Sequence, residues 1–180
     1  MESKQEVRKR IRVLKRELTL EQKMQRSEPI MHKVEALPAF EMAHTVLLYW
    51  SMDDEVQTHA FVNKWYKGKT LLLPCVQGND LVLRQYSCPE CMVAGEQFGI
   101  GEPDASLPAF TALENIDLII VPGVAFDHSC NRMGRGRGFY DRLLKSTPHA
   151  VKVGVAFSFQ ILDSIPTEPF DVKMDHVISE

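Results

Sequence analysis

Apolar positions near the N-terminus recur at helical spacing. Val7, Ile11, Leu14 and Leu18 fall three or four residues apart, which predicts an amphipathic helix over residues 3–18. On an adjacent face Lys4, Arg8 and Arg12 line up at intervals of four. Thr19 followed by Gln22 has the form of a capping box, so a second helix is expected over residues 19–36, ending before Leu37-Pro38. The rhythm then changes. Residues 45–50 (TVLLYW) form a continuous β-branched and aromatic run, the mark of a buried strand. Further segments read as a helix over 58–65 and strands over 70–74 and 81–86. Gly95, Gly99, Gly101 and Pro103 mark a long loop. A strand over 116–121, a helix over 139–146, a strand over 151–157 and a short last strand over 176–179 complete the chain. Strands alternating with helices imply an α/β fold, a three-layer α/β/α sandwich with a mostly parallel central sheet.

Composition narrows the picture. With 180 residues and 44% hydrophobic content the chain can bury one sizeable core, and one domain over residues 1–180 is expected. The formal net charge of −3 argues against a nucleic-acid binder driven by global charge. The first 18 residues are too charged for a signal peptide, and Glu2, Glu6 and Glu17 argue against a transit peptide. No apolar run approaches transmembrane length. A cytoplasmic location without nucleic-acid or membrane partners is expected. Cys88 and Cys91 have zinc-knuckle spacing but no second close Cys/His pair, so four reduced, unlinked thiols (Cys75, Cys88, Cys91, Cys130) are expected rather than a metal site.

The densest chemistry lies in residues 121–141, VPGVAFDHSCNRMGRGRGFYD. Gly134, Gly136 and Gly138 permit close backbone approach and positive φ. Arg132, Arg135 and Arg137 place three guanidinium groups within six residues, a donor set suited to phosphate oxygens. Asp141 then opens a helical pattern, whose N-terminal amides and dipole favour an anion. Together these residues suggest a polyphosphate with a magnesium ion. A P-loop is excluded because no Lys-Ser or Lys-Thr follows. A dinucleotide fingerprint is excluded because the spacing is G-x-G-x-G, well past the strand; the expected sheet is Rossmann-like without being a dinucleotide-binding fold. Trp50 and Glu55 follow the first strand, the arginine loop follows the fourth, and Asp171 precedes the last. Ligands collect at the carboxyl ends of strands in such folds.

NRMGRGRGFYDRLL, preceded by VPGVAFD, resembles the signature of the 5-formyltetrahydrofolate cyclo-ligase family (5,10-methenyltetrahydrofolate synthetases). The likeness extends to Lys4-x3-Arg8, YWSMDDEVQT at 49–58, FGIGEP at 98–103 and FDVKMDHVI near the C-terminus, in order along the chain. The resemblance implies ATP- and magnesium-dependent ring closure of 5-formyltetrahydrofolate to 5,10-methenyltetrahydrofolate, with ADP and phosphate released. Its small-molecule partners would be ATP and 5-formyltetrahydrofolate, and the protein would act as a monomer. By position it implies that Lys4, Arg8, Arg132, Met133, Gly134, Arg135, Gly136, Arg137, Gly138, Phe139 and Tyr140 bind ATP. It implies further that Trp50, Glu55 and residues Arg135, Gly136, Arg137, Gly138 and Phe139 contact the folate, and that Arg135 and Arg137 carry the catalytic charge. Arg137 stands where many family members have lysine or glycine. Asp141 and Asp171 match the magnesium carboxylates and are expected to be unpaired until a metal arrives; Asp127 and Asp175 are weaker metal candidates that read as turn or cap residues. The competing readings are a diverged relative acting on another substrate and a non-catalytic nucleotide- or anion-binding module.

Overall fold

The chain is described by a computed structural model over residues 2–95 and 99–180, so Phe98 of the FGIGEP segment lies outside the described residues. Helix α1 (Lys4–Arg16) starts at Ser3, whose side chain accepts from the Glu6 amide while Glu6 reaches back to the Ser3 amide. Helix α2 (Leu20–Glu35) starts in the same way at Thr19 and Gln22. The short α3 (Pro38–Met42) leads into β1 (Thr45–Leu47), α4 (His59–Trp65), β2 (Thr70–Gln77) and β3 (Asp80–Gln85). Then follow β4 (Met92–Ala94), β5 (Gly101–Pro103), β6 (Leu118–Val121), β7 (Ala125–Asp127) and β8 (Arg132–Met133). Helix α5 (Phe139–Lys145), β9 (Val151–Val155), β10 (Ile161–Leu162) and β11 (His176–Ile178) close the chain.

Six strands form the central sheet in the order β11-β9-β6-β1-β2-β3, parallel at every pairing except β2–β3. Successive side chains alternate between its faces. Val46, Leu71, Leu73, Leu118 and Ile120 enter a core with α2, α3 and α4, through residues such as Ile30, Phe40 and Phe61. Leu47, Leu72, Ile119 and Val121 face the other way, onto Phe126 of β7 and Leu144 of α5. Both faces are covered, which is why these strands read as unbroken apolar runs. The three-layer expectation holds.

Several details differ from the sequence reading. Strand β1 ends at Leu47, although Leu48 and Tyr49 stay buried, because the chain there turns into the site described below. Strand β2 passes through Pro74 and runs to Gln77. Its pairing with β1 covers only Thr70 to Leu72, so the amide that proline lacks is not needed on that side. Part of the expected glycine-rich loop is a small antiparallel pair, β4 with β5. Strands β10-β7-β8 form a second small sheet, against which α1 packs Val7 and Ile11. Strands of two or three residues are too short to show a period. The expectation of four unlinked thiols is corrected: Cys88 and Cys91 form a disulfide, because a 3-10 turn at Pro89–Cys91 brings their Cα atoms to 5.5 Å. Cys75 and Cys130 are free.

Candidate active site

Beyond β6 the chain reaches the glycine loop through the β7–β8 hairpin, and one carboxylate shapes that hairpin. Asp127 accepts from the amides of Ser129, Asn131 and Ile165 and from the Asn131 side chain. It is a turn organiser, as expected. Asp175 likewise accepts from the Lys152 amide.

The three loop arginines part company. Arg132 was expected to face phosphate, but its side chain is 6% exposed and lies under the loop. Its Nε donates to the Pro122 carbonyl at 2.7 Å, its Nη1 lies 3.7 Å from Asp141, and its guanidinium sits over the Tyr140 ring. Removal from water lowers its pKa, and Asp141, Tyr140 and Asp171 act in the opposite direction. Met133 is also buried, against α1. These two residues build the loop from below. Arg135 and Arg137 are exposed above it, with Arg137 5.8 Å from the Phe139 ring centroid.

Arg8 of α1 fixes the loop backbone: its Nε donates to the Gly134 carbonyl at 3.0 Å. Gly136 has φ +107 and Gly138 φ +71, conformations that favour glycine. A side chain at Gly136 would point at the Arg8 guanidinium, 3.5 Å away. Gly138 is the N-cap of α5 and brings no side chain to it, so the helix start is left to its own amides. Asp141 sits inside the helix and does not cap it.

Across the loop stands a carboxylate pair. Arg135 Nη2 lies 3.0 Å from Asp54 and 3.4 Å from Glu55. Glu55, whose side chain is 12% exposed, also accepts from the Met52 amide. Removal from water raises its pKa, and Asp54 adds to the rise; the Met52 amide, Arg135 and Lys15 hold it down. Lys15, on α1, is buried with its ammonium 3.8 Å from Asp54. Burial lowers its pKa, against the pull of Asp54 and Glu55. A narrow crevice lined by Lys15, Tyr49, Glu55 and Gln160 lies behind this pair. Glu55 in turn raises the pKa of the Tyr140 hydroxyl, behind the larger effect of desolvation. Thus the glycine loop and the expected folate carboxylate meet.

Lys15 and Asp54 were missed by sequence reasoning, and a signal existed. Lys15 follows Val7 and Ile11 at intervals of four, a charge on an otherwise buried stripe.

Trp50 lies on the same segment as Glu55, between β1 and α4. The His59 ring stacks on the indole with centroids 3.8 Å apart, and Tyr86 stacks offset at 5.9 Å. A Cβ on Gly101 would come within 2.8 Å of the indole nitrogen, so the β5 backbone is pressed against it. The Trp50 ring is therefore held rigidly, with one face taken by His59.

Asp141 and Asp171 were expected to await a metal unpaired; both already have protein cations. Asp141 lies beside Arg132, and Asp171 is 3.7 Å from Lys4, which also pairs with Glu168 at 3.1 Å. Asp141 contacts the Arg132 guanidinium and Asp171 acts on it electrostatically, so the fold brings both distant carboxylates within range of one buried cation. Among the described residues no group of three or more His, Cys, Asp or Glu side chains is gathered for a metal.

The site thus joins a glycine–arginine loop, two acidic residues acting on one buried guanidinium, and a carboxylate on the same segment as a fixed indole. A sequence profile of the 5-formyltetrahydrofolate cyclo-ligase family matches residues 1–180. The chain belongs to that family. The cyclo-ligase of Haemophilus influenzae is 31% identical over 183 residues, covering 98% of this chain and 97% of the relative. That of Escherichia coli K12 is 32% identical over 176 residues, covering 94% and 96%. The solution structure of the Aquifex aeolicus 5,10-methenyltetrahydrofolate synthetase superimposes with a TM-score of 0.86 at 36% identity, covering 97% of this chain and 88% of that one. A Mycoplasma pneumoniae synthetase structure (TM-score 0.79, 24% identity) shares the fold. The cyclo-ligase family is one of enzymes, and the fold and site of this member are as described above.

Proposed function

We propose that the protein converts 5-formyltetrahydrofolate to 5,10-methenyltetrahydrofolate, using ATP and releasing ADP and phosphate. The observation that carries this reading is the meeting of the Gly134–Gly138 loop with Glu55 through Arg135. An anion cradle and an acceptor for a donor-rich ring edge would then lie side by side. In the reaction the N5-formyl oxygen attacks the γ-phosphorus and ADP departs. N10 then attacks the activated formyl carbon and gives up its proton, and the bond from that carbon to the phosphate-bearing oxygen breaks as phosphate leaves. A formyl oxygen is a poor leaving group, and phosphorylation makes it a good one. Phosphoryl transfer asks for neutralised charge and alignment more than for a nucleophile. Arg135 and Arg137 supply charge from the loop, Arg8 holds its backbone, and Lys4 offers a further cation. Incoming phosphate competes with Asp54 and Glu55 for Arg135, so nucleotide binding would free Glu55 for the pterin N–H groups. Trp50 walls the ring. The second step is intramolecular, and holding N10 at the carbon is worth on the order of 7 kcal/mol for a well-oriented closure.

Magnesium fits the residues present in one way only. It commonly takes one or two carboxylates and fills its shell with phosphate oxygens and water. Asp141 and Asp171, both acting on one guanidinium, suit an ion that arrives with the triphosphate rather than a resident one; bound there, it would neutralise phosphate charge. We further read residues 1–180 as one domain acting as a cytoplasmic monomer on two small molecules. No helix among the described residues is long and apolar enough to cross a membrane.

The test is direct. The purified chain, given ATP, magnesium and 5-formyltetrahydrofolate, should develop the near-ultraviolet band of the methenyl product, with ADP and phosphate in equal amounts. A band that fails to form, or forms equally without ATP, overturns the proposal.

A further inference from the structure

Among the described residues the large apolar side chains left exposed are Val13, Leu20, Met24, Met42, Val93 and Phe170, and only the last is aromatic. Single exposed apolar residues are ordinary. Phe170 differs in its surroundings. It stands on the turn 168–171, closed by the Asp171 amide to the Glu168 carbonyl and by the Glu168 amide to the Asp171 carboxylate. Two ammonium groups flank its ring, Lys4 at 6.0 Å and Lys145 at 5.8 Å from the centroid.

Each lysine belongs to an i, i+4 pair whose other member lies at the phosphate end of the site. On α1, Lys4 is one turn from Arg8, which bonds the glycine loop. On α5, Lys145 is one turn from Asp141, which faces Arg132. Both helices therefore lead, over roughly 5–6 Å, from the loop and the acidic pair to one exposed phenyl ring. An aromatic face beside two cations suits a ligand that is flat at one end and anionic next to it.

We propose that Phe170 is the stacking platform for the base of the nucleotide, with Lys4 and Lys145 meeting the phosphates nearest the ribose. This rests on the ATP reading above. It fixes the direction of the triphosphate: the base lies at Phe170 and the γ-phosphate at the glycine loop, where Arg135 touches Glu55. The reverse orientation would carry the reacting phosphorus away from the folate carboxylate.

The experiment compares ATP with inorganic triphosphate, which has the charge and no base. Binding of each in the presence of magnesium is measured calorimetrically on the full chain, for the parent, Phe170→Ala and Phe170→Trp. Phe170 is exposed, so melting temperatures should stay together. Loss of one base–ring stack should weaken ATP by roughly five- to a hundredfold in the alanine variant. Inorganic triphosphate should be held as before, and tryptophan should keep or tighten ATP. Parent-like ATP affinity in Phe170→Ala, or an equal loss for both ligands, overturns the base platform while leaving the ATP reading intact. A parent that binds neither ligand overturns the ATP reading and the platform with it.

Discussion

Replacing Glu55 by glutamine should move two measurable quantities in opposite directions. The side chain is 12% exposed, accepts from the Met52 amide at 2.9 Å and lies 3.4 Å from Arg135. Desolvation, reinforced by Asp54, lifts its pKa in spite of the Met52 amide, Arg135 and Lys15. A carboxyl whose folded-state pKa is raised holds its proton more tightly in the native state, so its ionisation is destabilising. Its contribution is fullest below the unfolded pKa and is lost as pH rises through the folded one. Glutamine imitates the protonated form. Glu55→Gln should therefore melt above the parent at neutral pH, and the gap should close as pH falls through the raised pKa, where the parent is protonated too. Binding should respond the other way. An ionised acceptor for the pterin N–H groups contributes about 1.5–3 kcal/mol, so 5-formyltetrahydrofolate should bind roughly ten- to a hundredfold more weakly. ATP affinity should not fall, since the substitution leaves the loop backbone and Arg8 alone and weakens one competitor for Arg135. Thermal melts from mildly acidic to neutral pH and calorimetric titration with each ligand supply both readouts. A variant that melts lower at neutral pH and keeps its folate affinity would refute the reasoning, and Glu55 would be simply an ion-pair partner of Arg135.

Lys15→Met removes a buried charge that holds the Glu55 pKa down, so the acid limb of folate binding should shift to higher pH and Lys15→Arg should restore it; an unmoved limb rejects the coupling. Gly136→Val places a β-branched residue at φ +107, facing the Arg8 guanidinium. Strain of about 1–3 kcal/mol should lower the melting temperature by several degrees and ATP binding should be lost, whereas ATP affinity within about twofold of the parent rules out the loop as a phosphate cradle. Asp141→Asn and Asp171→Asn should each raise the magnesium requirement of turnover, with a double variant far from additive, and parent-like magnesium titrations would remove the metal assignment. Because Arg132 is buried beside Asp141, Asp141→Asn should also melt below the parent, a loss that an unpaired carboxylate would not produce.

Local signals settled much of this protein. Capping boxes at Ser3 and Thr19 mark their helices because the partner lies three residues away. Strands buried on both faces announce themselves as apolar runs, and Gly136 and Gly138 carry the positive φ that their loop requires. The small sheet, the β4–β5 pair and the Cys88–Cys91 bridge left no such trace, since they rest on two or three residues or on one turn. The site depended most on tertiary structure. That Arg132 goes under the loop while Arg135 crosses to Asp54 and Glu55 is invisible in an alternation of glycine and arginine. Burial and partners 80 or more residues distant decide it. The same holds for Asp141 and Asp171, distant in sequence, whose fields both act on one buried guanidinium. Residue types and local spacing are written along the chain; which charges face one another follows from the packing of α1, the small sheet and α5 around it.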